Sequence, residues 1–502
     1  MNRSSKFTVV TVIFILTGYC AADSQQMLGG NLWGGLKIRN ISYNAPLELS
    51  IQDVPVSADP YTIDHPPIVG FTPYIAVSLT NRRLEDLEYN AEKETSYLGA
   101  SLVANPSQNY IIGIFDTGAS AHVIGYASSQ ALGLKGAYLT TNVMTIGGVS
   151  GFVDTWVSMP VGVYFEGLRA IDSNSGTLNT SMLMGQSNTS VVSGMLPGAG
   201  EPDLPTVIGC PMSIFYDVAI NNDNQLVRYK NGKRYKSPSV EAYDFYDYDC
   251  PQYDNMIPLE LRPLGALSVT YTPGVDGVFE FDFDPASPSV ITGTGSQSLY
   301  FVSAVDLEHN GKLAFDKDRF MFDTGAQSTL IGSRVAARLG LNPLYPDFEI
   351  QAMGVNGEIV DLPGFVIDSL TIPVLGNWLT FTNVPVALLD VASPEGGTLD
   401  GIIGMNLFTN FNLVIRGGGM MLQDDPSVEF EPRQTAFLQG DIAPDVPDGR
   451  IDYQDLMALA AYWLMTDGDP MWNQDADIAP WPVPDGIVNL DDFAAIAAQS
   501  GM

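Results

Sequence analysis

Asp116 and Asp323 are the residues best placed to do chemistry in this chain, because each heads the same nineteen-residue frame. Residues 116–134 read DTGASAHVIGYASSQALGL and residues 323–341 read DTGAQSTLIGSRVAARLGL, identical at nine of nineteen positions without a gap. A lone Asp-Thr-Gly would arise by accident in about 6% of chains this long, but two copies in one extended frame mark a duplication. Two carboxylates held roughly 3 Å apart cannot both ionise, so one serves as base and the other as acid. Such a pair can activate a water and protonate a leaving nitrogen, which is what hydrolysing an amide requires. Near-symmetric surroundings leave the two roles unassigned, since the protons belong to the pair.

The elements that must position these aspartates recur with them. Apolar runs at 110–115 (YIIGIF) and 319–322 (RFMF) read as strands that deliver each Asp into a Thr-Gly turn. Gly147 in TIGGVSGFV and Gly354 in AMGVNGEIV each lie 31 residues after their Asp, in Gly-rich turns flanked by strand-like sequence. Each reads as a hairpin, with Gly147, Gly148, Gly354 and Gly357 at the turns. Further on, VIGCPMSIFYDVAI (207–220) and IIGMNLFTNFNLVI (402–415) share a pattern of apolar residues around one Ile-Gly, at Ile208-Gly209 and Ile403-Gly404.

This series, repeated in order, resembles the aspartic peptidases over roughly residues 67–430. The resemblance implies a mostly β, two-lobed duplicated acid-protease β-barrel fold, with lobes at 67–255 and 256–430. It also implies catalytic Asp116 and Asp323, with Thr117, Gly118, Thr324 and Gly325 supporting the loops and Ile208, Gly209, Ile403 and Gly404 crossing beneath them. The hairpins would be flaps that grip an extended peptide through main-chain hydrogen bonds. Ala119 and Ala326 after the glycines, and flaps without a tyrosine, tilt the comparison toward the retropepsin-like branch, with both halves in one chain as a monomeric pseudo-dimer. His122, where the second copy has Thr329, reads as a structural histidine or one that supports the site from behind the aspartates, because a paired-Asp mechanism has no task for it. A non-catalytic binding scaffold on the same fold is the alternative from another class.

Composition bounds the partners. A formal charge of −34 repels phosphate backbones, so nucleic acid is an unsuitable partner, while the resemblance to the aspartic peptidases implies a peptide or protein substrate. The N-terminus has Arg3 and Lys6, an apolar run of about eleven residues from Phe7 and small residues at Ala21 and Ala22, the pattern of a secretory signal peptide over 1–22. Secretion, to the medium or the cell surface, and a mature chain without a membrane span are the expectations. Residues 23–66 form either a pro-segment or an early strand, with 46–56 the best strand candidate. Cys210 and Cys250 are then left either as one disulfide or as two buried thiols.

A second duplication closes the chain. GDIAPDVPDGRIDYQDLMALAAYWL (440–464) matches ADIAPWPVPDGIVNLDDFAAIAAQS (476–500), and residues 441–502 hold twelve Asp, no Glu and one Arg. Oxygen ligands around a Gly turn that leads into an apolar helix suit a hard cation such as Ca²⁺. The repeats resemble the dockerin type I pair, a shortened EF-hand-like α-helical module. That resemblance implies metal ligands at Asp441, Asp448, Asp452 and Asp455, and at Asp477, Asp485, Asn489 and Asp492, with a cohesin-like or cell-surface partner. The polar stretch 424–440 supplies a linker, placed at 431–439, before the module at 440–502.

Overall fold

The computed structural model describes Val9–Val10, Leu16–Thr17 and residues 61–80, 102–270 and 290–499, the last two ranges with breaks at 104, 106, 135–138, 149–150, 159–160, 199–202, 245–246, 317–319, 354–358, 394–396, 418–424, 435–440, 444–450, 452, 467–473 and 480–485. The described residues build a mostly β structure of one ten-stranded and one sixteen-stranded sheet with four short α-helices. Asp116 ends a strand of the first sheet and Asp323 follows a strand of the second.

Each identity in the duplicated frame has a physical reason. After the Asp turn, Val123–Ile124 and Leu330–Ile331 form short buried strands. Next come helices α1 (Tyr126–Ala131) and α2 (Ser333–Leu339), whose N-caps Gly125 and Gly332 have no side chain to cap with. Distant carboxylates do it instead. Asp203 accepts the Tyr126 and Ala127 amides, both at 2.7 Å, and Asp390 accepts the Ser333 amide at 2.7 Å. Both helices close on Leu-Gly-Leu, with Gly133 and Gly340 at φ +80° and +75°, a left-handed position that a side chain would strain. The flanking leucines, Leu132, Leu134, Leu339 and Leu341, are buried.

The two halves share backbone as well as side chains. The hairpin of Asp217–Lys230 and Lys233–Tyr243 follows the first copy in sequence, yet its first strand pairs with Phe411–Arg416 of the second half. Ser427–Pro432 continues that sheet and pairs with the start of Asn255–Thr270. The linker placed at 431–439 therefore starts too early, because Glu431 and Pro432 are strand residues. Of the N-terminal segment, Tyr61–Asp64 is a strand lying parallel to Leu379–Thr382 in the second half, whereas 46–56 lies outside the described residues.

The disulfide alternative fails because the two cysteines belong to different packing environments. Both are free buried thiols. Cys210 packs in the main core with its Sγ 3.6 Å from Ser298 Oγ. Cys250 packs against Ala219 and Val414 and receives a hydrogen bond from Arg416 Nη1 at 3.0 Å.

Helices α3 (Tyr453–Ala461) and α4 (Leu490–Gln499) lie in the C-terminal repeat and pack around Ile442, Leu459, Ile478, Val488 and Ile496. An ion pair of Lys236 with Asp475 at 2.7 Å ties this region to the central hairpin. No described helix is long and apolar enough to cross a membrane.

The main core runs without interruption from Phe115, Phe165 and Ile208 to Phe322, Phe381 and Phe408. Phe408 is fully buried and meets Phe322, Phe381 and Phe411 edge-on at centroid distances of 5.7, 6.5 and 6.4 Å. Phe408→Ala is expected to lower the unfolding free energy by about 3–5 kcal/mol, as read by denaturant titration. A loss below about 1 kcal/mol would show that this cluster does not hold the second half together.

Candidate active site

Each aspartate sits where a strand is flanked by a parallel neighbour. In the first half Gly209, at the end of Val207–Gly209, stands beside Asp116, with Ile208 beside Phe115. In the second, Gly401–Ile403 runs beside Phe320–Phe322, and the Asp323 amide donates to the Ile403 carbonyl at 3.1 Å. The residue after each crossing glycine then anchors the Asp turn. The Cys210 amide donates to the Ala119 carbonyl and the Met405 amide to the Ala326 carbonyl, both at 2.8 Å. Ile208 and Ile403 are fully buried under their respective turns.

The threonines join the halves reciprocally. Thr117 N donates to Thr324 Oγ1 at 3.0 Å, and Thr324 N donates to Thr117 Oγ1 at 3.1 Å. Each hydroxyl in turn donates to the strand of the other half, Thr117 to the Phe322 carbonyl at 2.9 Å and Thr324 to the Phe115 carbonyl at 2.8 Å. All four bonds are buried, so each is made away from competing water.

Held this way, the carboxyls face one another. A Cβ on Gly118 would overlap the Asp323 carboxyl, and one on Gly325 would overlap that of Asp116. Only glycine lets the turns come this close. Asp116 Oδ1 accepts the Gly118 and Ala119 amides at 2.8 and 3.1 Å, and Asp323 Oδ1 accepts the Gly325 and Ala326 amides at the same distances. This fixes one oxygen of each carboxyl and leaves its Oδ2 buried with no protein donor.

Burial pushes the Asp116 carboxyl up to about 6, against the hydrogen bonds from the Asp323 carboxyl and the turn amides that favour its charge. Asp323 is raised well above the usual carboxylate range, first by burial and then by the charge of Asp116. The pair therefore keeps a shared proton in mildly acidic solution, with Asp116 the readier to ionise. Two facing carboxyls in this state can take a proton from a water and give one to a substrate.

Residues 305–407 match the family model described as aspartyl protease. The match contains Asp323, its Thr-Gly and the Ile402-Ile403-Gly404 crossing. Among solved structures, the chain is similar to an aspartic proteinase from Irpex lacteus, at 12% identity over 73% of this chain and 98% of that one with a TM-score of 0.32. It is also similar to the protein titled edgp, at 9% identity over 72% and 96% of the two chains with a TM-score of 0.30. No curated protein matches the chain.

The other expected site residues fall into three groups. Gly147 and Gly148 end Leu139–Gly148 opposite Phe152 and Gly151 of the next strand, which makes the first hairpin. In the second hairpin Met353 pairs with Ile359, while Gly354 and Gly357 lie outside the described residues. His122 is buried, and its Nδ1 accepts the Gly209 amide at 3.1 Å. In the C-terminal repeat, Asp455 Oδ1 accepts the amides of Ile442 and Ala443, next to Asp441, at 2.8 and 2.9 Å. Asp492 Oδ1 does the same for Ile478 and Ala479, next to Asp477, at 2.6 and 2.8 Å, and its Oδ2 accepts the Asn489 amide at 2.7 Å. Asp448, Asp452 and Asp485 lie outside the described residues. Among the described residues no group of three or more His, Cys, Asp or Glu side chains forms a metal cluster.

Sequence reasoning missed the carbonyls of Phe115 and Phe322 as acceptors for the threonines, and Asp203 and Asp390 as helix caps. No local pattern marks them, since the partners lie 76 to 209 residues apart or, for Asp390, 57.

Thr117→Val keeps the shape of the side chain but removes its hydroxyl, which leaves the Thr324 amide and the Phe322 carbonyl buried without their bonds. The expected loss is about 1–3 kcal/mol of stability in denaturant titration, with Thr117→Ser restoring most of it. Equal stability of the valine and serine variants would show that the crossed bonds do not hold the halves.

Proposed function

We propose that the chain is a secreted aspartic endopeptidase. The observation that carries this is the facing of Asp116 and Asp323, each pinned through one oxygen by two turn amides and each seated against the glycine of the other half. The aspartyl protease match supports the second of the two halves directly.

In the proposed reaction, ionised Asp116 takes a proton from a water as its oxygen attacks the peptide carbonyl, while Asp323 gives its proton to the carbonyl oxygen. Collapse of the tetrahedral species returns a proton to the nitrogen as the carbon–nitrogen bond breaks, releasing an acid and an amine. The substrate strand would lie along the two hairpins. In support of that mode, the chain's own Val9–Val10 pairs parallel with Gln351–Ala352 and Leu16–Thr17 antiparallel with Ile146–Gly147, so both hairpins accept extended backbone.

The C-terminal repeats are proposed as a calcium-binding attachment module. Asp441, Asp455, Asp477 and Asp492 are all buried, and a donor set of carboxylate oxygens fits a hard cation. Asp441 with Asp455, and Asp477 with Asp492, are the described candidates to hold an ion in the two repeats. The exposed side chains of Tyr453, Met457, Leu490 and Phe493 give the two helices an apolar surface suited to a protein partner such as a cohesin-like domain.

The peptidase reading is tested by incubating the full chain with an unfolded protein at pH 4–7, with and without Asp116→Asn. Cleavage by the wild type alone is expected. Its rate should fall about tenfold per pH unit once Asp116 protonates, below about pH 6, and fall again when Asp323 ionises at higher pH. A rate still rising toward pH 2 would contradict this ordering, and equal cleavage or none would leave the binding-scaffold alternative.

For the module, Ca²⁺ titration by calorimetry should show uptake that Asp441→Asn and Asp477→Asn each reduce. Chelation should lower the melting temperature of the full chain's weakest transition. No heat and no thermal shift would remove calcium from the reading.

A further inference from the structure

The two halves solve one mechanical problem with different chemistry. In the second half, Thr329 Oγ1 accepts the amide of the crossing Gly404 at 3.3 Å and donates to Asn406 Oδ1 at 2.8 Å, a pair that acid does not touch. In the first half the position of Thr329 is held by His122, and the position of Asn406 by Pro211, which has no side-chain oxygen to offer. His122 Nδ1 takes over as acceptor for the crossing Gly209 amide at 3.1 Å, and its carbonyl accepts the Val192 amide at 2.9 Å. Gly209 is the residue that pairs with Asp116 in the strand register, so the imidazole acts one backbone away from the reacting carboxyl.

An imidazole nitrogen can accept a backbone N–H only while it carries no proton, which places the ring proton on Nε2. The titratable groups on the crossing segment and the strand it pairs with are Asp116, across from Gly209, and the Cys210 thiol, next along the segment. From the strand Met184–Thr189 the polar neighbour is Gln186, whose Nε2 donates to the Pro211 carbonyl at 3.2 Å. Val192–Gly194 brings no charged side chain.

We propose that His122 is a positioning residue for Asp116: its neutral ring holds the crossing Gly209 against the Asp116 turn, and protonation of the ring releases that hold in acid. Thr329 gives the second half no such sensitivity. The inference rests on the peptidase reading for its kinetic consequence but not for its structural one.

Burial pushes the His122 imidazole down to about 4, partly offset by Gln186. The folded state therefore favours the neutral ring. Stability tied to it is present above the unfolded value near 6.5 and is lost as pH falls toward 4.

Two measurements on the full chain test this. The protein has three histidines, so ring carbon–proton NMR resolves them individually. One ring titrating near pH 4, in step with a shift of the Gly209 amide, is expected; a ring titrating at 6–7, or at 4 with the Gly209 amide unmoved, overturns the proposal. This arm decides even if the protein cleaves nothing, an outcome that would instead defeat the peptidase reading.

In the kinetic arm, His122→Leu should lower kcat about tenfold at pH 6 with KM within about twofold, and His122→Asn, which keeps an acceptor that does not titrate, should recover most of that loss. The slope of log kcat/KM against pH should steepen from about one to about two below pH 4 in the wild type and stay near one in His122→Asn. An unchanged kcat in the leucine variant, or the same steepening in the asparagine variant, overturns the proposal.

Discussion

The crossed bonds between Thr117 and Thr324 are the interaction on which the rest depends. Each threonine spends its hydroxyl twice, accepting an amide from the opposite threonine and donating to the carbonyl of the opposite strand. The bonds connect the ends of two strands whose neighbours are Val207–Gly209 and Gly401–Ile403, so the halves cannot slide without breaking buried donors. A buried donor left unpaired costs about 1–3 kcal/mol, and four such groups acting together make the relative position of the turns close to discrete. The glycines follow from this: once the threonines set the spacing, no side chain fits between either turn and the opposite carboxyl.

That spacing has an energetic cost. Asp116 and Asp323 are both fully buried, and their raised values mean that the folded state prefers them protonated. Stability linked to these groups is complete below the ordinary carboxylate value of 3.8 and is lost as pH rises from there through their folded values, about 6 for Asp116 and higher for Asp323. The shared core, the antiparallel sheet that joins Asp217–Tyr243 to Phe411–Arg416, and the Arg416 pairs with Asp217 and Glu429 supply the compensating stability from outside the site. A fold that keeps two carboxyls in this condition gives up stability to hold a proton-sharing pair.

Much of this was legible in the residues. The nine identities of the duplicated frame carry the Asp turn, the helix entry glycine and the Leu-Gly-Leu exit, each of which is a local backbone requirement. Local requirements leave local signals. What the sequence did not disclose is long-range pairing. Tyr61–Asp64 looks irregular because its partner strand lies more than 300 residues away, and the sheet role of Ser427–Pro432 was hidden within a polar, linker-like stretch. The same holds for Asp203 and Asp390, whose capping role exists only after the fold brings them to α1 and α2. The cysteines read as a possible pair only because few others were present, and packing in separate clusters decides otherwise.

Duplication explains the symmetry of the site, and the departures from it show where each half was free to change. The positions that touch the opposite half, Asp, Thr and Gly, are the same in both copies, because a change in one would have to be matched across the interface. One step outward the copies diverge. Ala326 is followed by Gln327, which reaches Thr72 at 2.5 Å and whose carbonyl accepts the Gly70 amide at 2.7 Å, whereas Ala119 is followed by the short, buried Ser120. His122 and Thr329 face only their own half, so the requirement on them is weaker: something must accept the amide of the crossing glycine. A hydroxyl and a neutral imidazole both meet that requirement, but only one of them can be switched off by a proton. Asymmetry in the aspartate pair can therefore arise from residues that never touch it, through the backbone on which each aspartate rests.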